Sequence, residues 1–88
     1  GSLVTGTIEE ETERVLENLG AVLQGASMSF ENVVLCTLYL TDIRDYATVN
    51  EIYANYFSAS PPAREAVEVS ALPRGARIEI SCIAVQTK

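Results

Sequence analysis

Hydrophobic and polar positions along the 88-residue chain predict two helices and three strands, in the order α-β-α-β-β. The first helix begins after Thr7, which forms a capping box with Glu10, because each of these side chains satisfies a backbone donor of the other residue. The apolar positions that follow have the spacing of one helix face: Ile8, Val15, Leu16, Leu19, Val22, Leu23 and Ala26. Gly20 lies inside this helix at a cost of about 1 kcal/mol relative to Ala, so it either admits a close neighbour or is simply tolerated.

The middle of the chain predicts a strand followed by a second helix. Residues 33–40 are dense in β-branched and aromatic side chains, which indicates a strand buried on both faces. Thr41 and Asp42 are candidate caps for the helix. Its apolar stripe consists of Ile43, Tyr46, Val49, Tyr53 and either Tyr56 or Phe57. Pro61 and Pro62 cannot continue a helix, so the segment 58–62 ends it.

The last two predicted strands, residues 63–72 and 76–85, are separated by a turn at residues 73–75. One face of the first strand carries Arg64, Ala66, Glu68 and Ser70. One face of the second carries Arg77, Glu79, Ser81, Ile83 and Val85. These elements predict an α+β layer with both helices on one face of the sheet. The other face keeps apolar residues, and a second subunit is the simplest way to cover it.

Composition narrows the function classes. The chain has 12 acidic and 6 basic residues, a net charge of −6 and no histidine. Its basic residues are scattered, which argues against a nucleic-acid partner. Without histidine, one chain lacks the groups for Ser-His-Asp or Cys-His catalysis. The two cysteines, Cys36 and Cys82, lie in predicted strands and are more typical of buried free thiols than of a disulfide or a zinc site.

The length predicts a single domain spanning residues 1–88, with a small core. The longest apolar run, residues 33–40, is too short to cross a membrane, and no signal peptide is recognisable. We therefore expect a soluble, cytoplasmic protein with no membrane partner. A hydrophobic content of 48% favours either a well-packed core or an apolar surface for partner subunits.

Arg64 is a candidate ligand-binding residue. Its guanidinium offers a planar fork of donors that holds a carboxylate through two hydrogen bonds. The stiff segment 61–63 precedes it, and the small residue Ala66 leaves room on the same strand face. The alternative is an ordinary ion pair with Glu68 or Glu79.

Glu79 is a second candidate, because a carboxylate between two isoleucines in a strand is unfavourable unless it is paired or hydrated. Either it orients or activates a water molecule, or it forms a structural ion pair with Arg77 or Arg64. Residue types and spacing alone leave both alternatives open.

Several motifs in order along the chain resemble the signature of the RidA/YjgF family. The signature region comprises Pro62-Ala63-Arg64, Val67-Glu68-Val69, Leu72-Pro73-Arg74-Gly75-Ala76 and Ile78-Glu79-Ile80. Upstream, residues 12–19, 33–42 and 49–53 resemble the first helix, the central strand and the second helix of the family. The similarity runs along essentially the whole chain.

This resemblance implies a chorismate-mutase-like α+β fold and a homotrimer with its sites between subunits. It also implies hydrolytic deamination of reactive 2-enamine or 2-imine acids, such as 2-aminoacrylate, to 2-oxo acids and ammonia. In that reaction Arg64 would bind the carboxylate of a small metabolite, Asn50 would hydrogen-bond in the pocket, and Glu79 would position or deprotonate the water. Neither a cofactor nor a metal is implied. Without the resemblance, Asn50 is as well explained as a surface residue of the second helix.

The sequence departs from the family pattern at two places. The two-stranded hairpin and the Ser-Gly segment with which family members begin, including a tyrosine and a serine of the pocket, have no counterpart in it. Glu65 follows the signature arginine where many members carry a small residue, and Ala66 stands where the deaminases often carry Cys. These departures leave the substrate open and favour, as the main alternative, a non-catalytic trimeric binder of carboxylate metabolites. A ribonuclease or translation inhibitor and a purely structural trimerisation module are further alternatives, and the acidic charge weighs against the ribonuclease.

Overall fold

The order of helices and strands follows the periodicity of the sequence. The computed structural model describes residues 6–57 and 61–86, so most of the predicted helix end at residues 58–62 lies outside the described residues. Within the described part, the helices and strands are α1 (Ile8–Gly25), β1 (Val33–Leu40), α2 (Tyr46–Tyr56), β2 (Ala63–Glu68) and β3 (Ile78–Ala84). The predicted α+β class and the predicted order are confirmed.

Helix α1 begins as the capping box predicts. The Thr7 hydroxyl accepts a hydrogen bond from the Glu10 backbone N–H at 3.1 Å, and the Glu10 carboxylate accepts one from the Thr7 N–H at 3.0 Å. Gly20 does admit a close neighbour, because a Cβ at this position would lie 3.0 Å from a ring carbon of Phe30. No helix of the described residues is both long and apolar enough to cross a membrane.

The three strands of the described residues form one mixed sheet in the order β2-β1-β3. β1 pairs in parallel with β2 and antiparallel with β3. A parallel pair needs a crossover connection, and α2 provides it between β1 and β2. Cys36 of β1 therefore lies between Arg64 and Cys82 on one face of the sheet. The next residue, Thr37, lies between Glu65 and Ser81 on the other face.

Both helices cover one face of the sheet, as predicted, and we call it the helix-covered face. The residues buried there with the helices include Cys36, Leu38, Leu40 and Ile78. The opposite face is not covered by the described residues of the chain and is called the open face; its residues are Leu35, Thr37, Tyr39, Ala63, Glu65, Val67, Glu79, Ser81 and Ile83. The expectation that β1 is buried on both faces is therefore wrong for the single chain, since only its helix-covered side reaches full burial.

The element boundaries differ from the predicted ones where polar contacts form turns. Asp42 caps a short 3-10 turn, Ile43–Asp45, through a hydrogen bond from the Arg44 N–H, and α2 begins only after it. Ile43, predicted to be the first residue of the apolar stripe, is 46% exposed and lies in the 3-10 turn, so this part of the prediction is wrong. The turn predicted at residues 73–75 is present, with Arg74 in the left-handed region (φ 61°), and β3 starts at Ile78, two residues later than predicted. β2 is shorter than predicted and ends at Glu68.

A nearly buried ion pair joins the start of α1 to the start of β3. The Glu11 carboxylate, only 4% exposed, accepts hydrogen bonds from Nε and from the backbone N–H of Arg77, each at 2.7 Å. The guanidinium also donates to the carbonyl of Gly6. Arg77 is therefore paired with an acid of the first helix, and the alternative pairing of Arg77 with Glu79 is wrong.

We expect Glu11→Ala to lower the free energy of unfolding by about 3 kcal/mol, because the change leaves a partly buried guanidinium and a backbone N–H without their acceptor. Urea denaturation measures this loss. Glu9→Ala is the matched control, since Glu9 is an exposed acid in the same first helical turn. Equal losses in the two variants would mean that only the helix dipole, and not the ion pair, matters.

Candidate functional site

The β1–α2–β2 crossover places α2 over the edge strand that carries Arg64. Arg64 lies beside Cys36 in the register of the parallel pair, and its side chain is on the helix-covered face. Tyr46, Asn50 and Tyr53 are spaced i, i+4 and i+7 along α2, so they share one face of the helix. All three contact Arg64.

Arg64 is held by neutral groups. Its Nη1 donates a hydrogen bond to Oδ1 of Asn50. Its Cζ lies 5.0 Å from the centroid of the Tyr53 ring and 5.6 Å from that of Tyr46, within the range of cation–π attraction. Among the described residues Arg64 has no carboxylate partner. The alternative pairing with Glu68 does not form, because the Glu68 carboxylate accepts the backbone N–H of Ile43 at 2.7 Å.

A cleft of about 640 Å³ opens beside the arginine. We call it the Arg64 cleft, and its lining residues are Asn50, Tyr53, Ala54, Phe57, Pro61, Pro62 and Arg64. One end is polar and cationic, and the remainder is apolar or aromatic. Such a cleft suits a small molecule that combines an anionic group with an apolar portion. The structure therefore brings together Asn50 and Arg64, the two predicted substrate-binding residues.

Tyr53 was predicted to be a core residue. It does belong to the core, and it also lines the Arg64 cleft. It is 3% exposed, and its ring stacks on Phe57 with centroids 4.5 Å apart. Its hydroxyl has no hydrogen-bond partner among the described residues, and burial raises the pKa of this phenol. The sequence held one signal that Tyr53 lines the cleft: it shares a helix face with Asn50. An amide in an otherwise apolar stripe indicates a polar contact beside that stripe.

Glu79 does not reach the Arg64 cleft within one chain. It pairs with Tyr39 in the register of β1 and β3, so it lies on the open face, whereas Arg64 lies on the other face and at the opposite edge of the sheet. Glu79 instead borders a second cleft of about 310 Å³ between β3 and α1. Its exposed carboxylate has no hydrogen bond or ion pair with the residues that the structure describes. Neither pairing partner considered for it from the sequence is in contact with it.

The unusual Glu65 points away from the Arg64 cleft. It pairs with Thr37 on the open face, and its carboxylate accepts a hydrogen bond from the Thr37 hydroxyl at 3.1 Å. Ser81 is the neighbour of Thr37 on the other side. Of the two departures from the family pattern in this strand, Glu65 therefore lies on the open face. The other, Ala66, lies on the same face as Arg64.

Comparison with known proteins decides the family. A family model described as Endoribonuclease L-PSP matches residues 1–86. The chain belongs to this family. The RidA/YjgF resemblance of the sequence is thereby confirmed, and the YjgF protein of E. coli is among the solved structures with the same fold.

Members of the family that carry different names align along nearly the whole chain. A mouse relative, 2-iminobutanoate/2-iminopropanoate deaminase, is 54% identical over 86 residues, which are 98% of this chain and 64% of that protein. A putative endoribonuclease from Thermotoga maritima has a TM-score of 0.96 at 49% identity, covering 100% of this chain and 69% of that one. E. coli TdcF, solved with bound serine, has a TM-score of 0.91 at 32% identity, covering 97% and 69%. The RidA/YjgF chain described here thus spans about two thirds of the length of these relatives.

The two thiols lie beneath the site and not in it. Cys36 and Cys82 are free and are cross-strand neighbours on the helix-covered face. Burial raises the pKa of each thiol, although the nearby Tyr53 hydroxyl and Arg64 charge act in the opposite direction on Cys36. Among the described residues, no group of three or more His, Cys, Asp or Glu side chains is arranged to hold a metal ion.

We expect both thiols to resist alkylation. Reaction with iodoacetamide requires an accessible thiolate, and burial both shields the thiols and raises their pKa, so at pH 8 each should react more slowly in the native protein than in the unfolded chain. Mass spectrometry of each cysteine peptide, with the same protein in urea as the control, measures the rates. If Cys36 reacted at its unfolded rate, it would be an accessible nucleophile and the placement of the thiols beneath the site would be wrong.

Proposed function

We propose that the protein hydrolyses reactive 2-enamine and 2-imine acids to 2-oxo acids and ammonia. The observation that carries the proposal is Arg64, an exposed guanidinium without an acidic partner among the described residues, at the polar end of a cleft large enough for a small metabolite. The similarity to the mouse 2-iminobutanoate/2-iminopropanoate deaminase supports this reaction, and serine bound to E. coli TdcF supports a small carboxylate as the ligand.

The reaction depends on binding the substrate and positioning a water molecule more than on covalent catalysis. An enamine acid tautomerises to an imine, whose carbon is already electrophilic. Water adds to this carbon, the C–N bond breaks, and the nitrogen leaves as ammonia while the carbon keeps the oxygen of water. Arg64 would hold the carboxylate through the N–H groups that Asn50 does not engage, which fixes the imine carbon in the cleft. No cofactor or metal is required for these steps.

In this proposal Glu79 positions or deprotonates the water, and it comes from a second subunit. Within one chain the sheet separates Glu79 from Arg64. The open face has exposed apolar residues, Val67 at 42% and Ile83 at 56%, that suit contact with another copy. Assembly into a homotrimer would place the open face of one protomer next to the cleft of its neighbour. A carboxylate near the imine would then act as a general base.

We expect Arg64→Ala to lower kcat/KM for 2-aminoacrylate by about 10- to 150-fold, because hydrogen bonds to a charged group contribute about 1.5–3 kcal/mol. A serine or threonine dehydratase generates the substrate, and decay of the imine is followed with and without the full-length protein. Arg44→Ala is the matched control, since this exposed arginine pairs with Asp42 on the surface, at 2.8 Å. A loss in Arg44→Ala as large as that in Arg64→Ala would argue against the assigned role.

Mixing two impaired variants tests the shared site. Arg64→Ala and Glu79→Gln subunits, each of low activity alone, should regain activity when unfolded and refolded together. Random assembly of equal amounts would give both native groups in about a quarter of the sites if each site takes one residue from each of two subunits. Each variant refolded alone is the control. Activity that stays at the background of the controls would contradict a site shared between subunits.

The second candidate is a non-catalytic binder of small carboxylates. The separation of Glu79 from Arg64 favours it, because one chain supplies the carboxylate clamp but not the general base. Tight binding of 2-oxobutanoate by calorimetry, with no acceleration of imine decay, would select this candidate. The family description names an endoribonuclease, but the net charge of −6 disfavours a polyanionic partner. The cytoplasmic location expected from the sequence stays a prediction.

A further inference from the structure

Arg64 differs from two other arginines of the chain in the charge of its partners. Arg77 pairs with Glu11, and Arg44 pairs with Asp42. Arg64 contacts Asn50 and two tyrosine rings, although acids outnumber bases by 12 to 6 in the chain. A carboxylate at one of these three α2 positions would neutralise the guanidinium and compete with any anionic ligand. Neutral partners hold the side chain and leave its charge available.

We infer that Tyr46 and Tyr53 are positioning residues that hold the Arg64 guanidinium ready for an anionic substrate. Together with Asn50 they form what we call the arginine cradle (Tyr46, Asn50, Tyr53). This inference rests on the proposed function for its consequence in turnover, but the cradle itself is a property of the contacts around Arg64. It assigns a role in substrate affinity to two rings that sequence periodicity places in the core.

The two rings contribute differently. Tyr53 is 3% exposed, and its ring stacks on Phe57, whose ring meets that of Phe30 edge-on with centroids 5.0 Å apart. This side of the cradle is therefore fixed by the core. Tyr46, at the first turn of α2, is only half-buried, and its ring lies on the guanidinium without such a stack. Arginine otherwise loses side-chain rotational freedom when it binds, so holding it beforehand lowers the entropic cost of binding.

The decisive comparison is between Tyr46→Leu and Tyr46→Phe in the full-length protein. Tyr46→Leu removes the aromatic ring, whereas Tyr46→Phe keeps it. We expect Tyr46→Leu to raise KM for 2-aminoacrylate, and the Kd for 2-oxobutanoate, by about three- to tenfold with kcat nearly unchanged, from the usual strength of a cation–π contact. Tyr46→Phe should restore both constants to their parent values.

A control variant separates positioning from packing. Tyr56→Leu loses a half-buried tyrosine of the same helix that contacts Phe30 and not Arg64, so KM should stay at its parent value. Equal increases of KM in Tyr46→Leu and Tyr56→Leu, or a Tyr46→Phe variant as impaired as Tyr46→Leu, would overturn the proposal.

A charge-changing variant tests whether the cradle has to be neutral. Asn50→Asp places a carboxylate against Arg64, and we expect it to weaken 2-oxobutanoate binding by about tenfold or more because the new ion pair competes with the ligand. Asn55→Asp makes the same charge change at an exposed position of α2. Parent-like binding by Asn50→Asp would show that the charge of Arg64 need not be left free, and would overturn this part of the inference.

A spectroscopic measurement keeps the inference independent of the proposed reaction. Aromatic rings shift the NMR signals of nearby protons, so the side-chain Nε–Hε and Cδ protons of Arg64, assigned with Arg64→Lys, should move toward random-coil positions in Tyr46→Leu and not in Tyr46→Phe. If the parent protein neither binds 2-oxobutanoate nor accelerates imine decay, the proposed function fails while these shifts still test the cradle. Shifts that are identical in the parent protein and Tyr46→Leu would refute the cradle even in an active enzyme.

Discussion

The register of β2 against β1 is the constraint on which the Arg64 cleft depends. Side chains of a strand alternate between faces, so the pairing of Arg64 with Cys36 directs the guanidinium toward α2 and directs Glu65 to the open face. A slip of one residue would exchange them and put an acid beneath the helix. Burial of alternate β1 residues, Cys36 and Leu38 among them at 0% exposure, fixes the faces of the central strand. The packing of the core thus determines the electrostatics of the site.

Helix α2 connects the core to the cleft, because its residues pack in both. Val49, fully buried, faces the sheet, while Asn50 is one residue further around the helix, at the margin of the buried stripe. Tyr53 belongs to both regions, because its ring stacks on Phe57 on one side and contacts Arg64 on the other. An arginine on an edge strand, with a long flexible side chain, thereby contacts a ring that is packed in the core. Rigid support of this kind is what a binding group needs to keep its geometry.

Local signals in the sequence predicted much of the fold, and contacts between distant segments explain what they missed. The capping box at Thr7 and the strand faces follow from neighbouring residues, so periodicity was sufficient for them. The partner of Arg77 lies 66 residues away in Glu11, and no local pattern distinguishes it from the nearer Glu79. Burial of β1 on one face only was also not predictable, because its apolar residues look alike whether a helix or another subunit covers them. The contact of Asn50 with Arg64 depends on how α2 lies over β2, which spacing alone does not fix.

Under the proposed function, the sheet that separates Arg64 from Glu79 also divides binding from chemistry. Among the described residues, the side chains that hold Arg64 come from α2 of the same chain, so one protomer would supply the groups that bind a carboxylate. The carboxylate proposed to act on water lies on the open face, where only another chain can bring it to a cleft. Substrate affinity should then survive dissociation of the subunits, whereas turnover should not. If catalysis depends on the open face in this way, changes on that face alone would remove turnover and keep binding. Glu65 lies on that face, where its carboxylate accepts a hydrogen bond from Thr37.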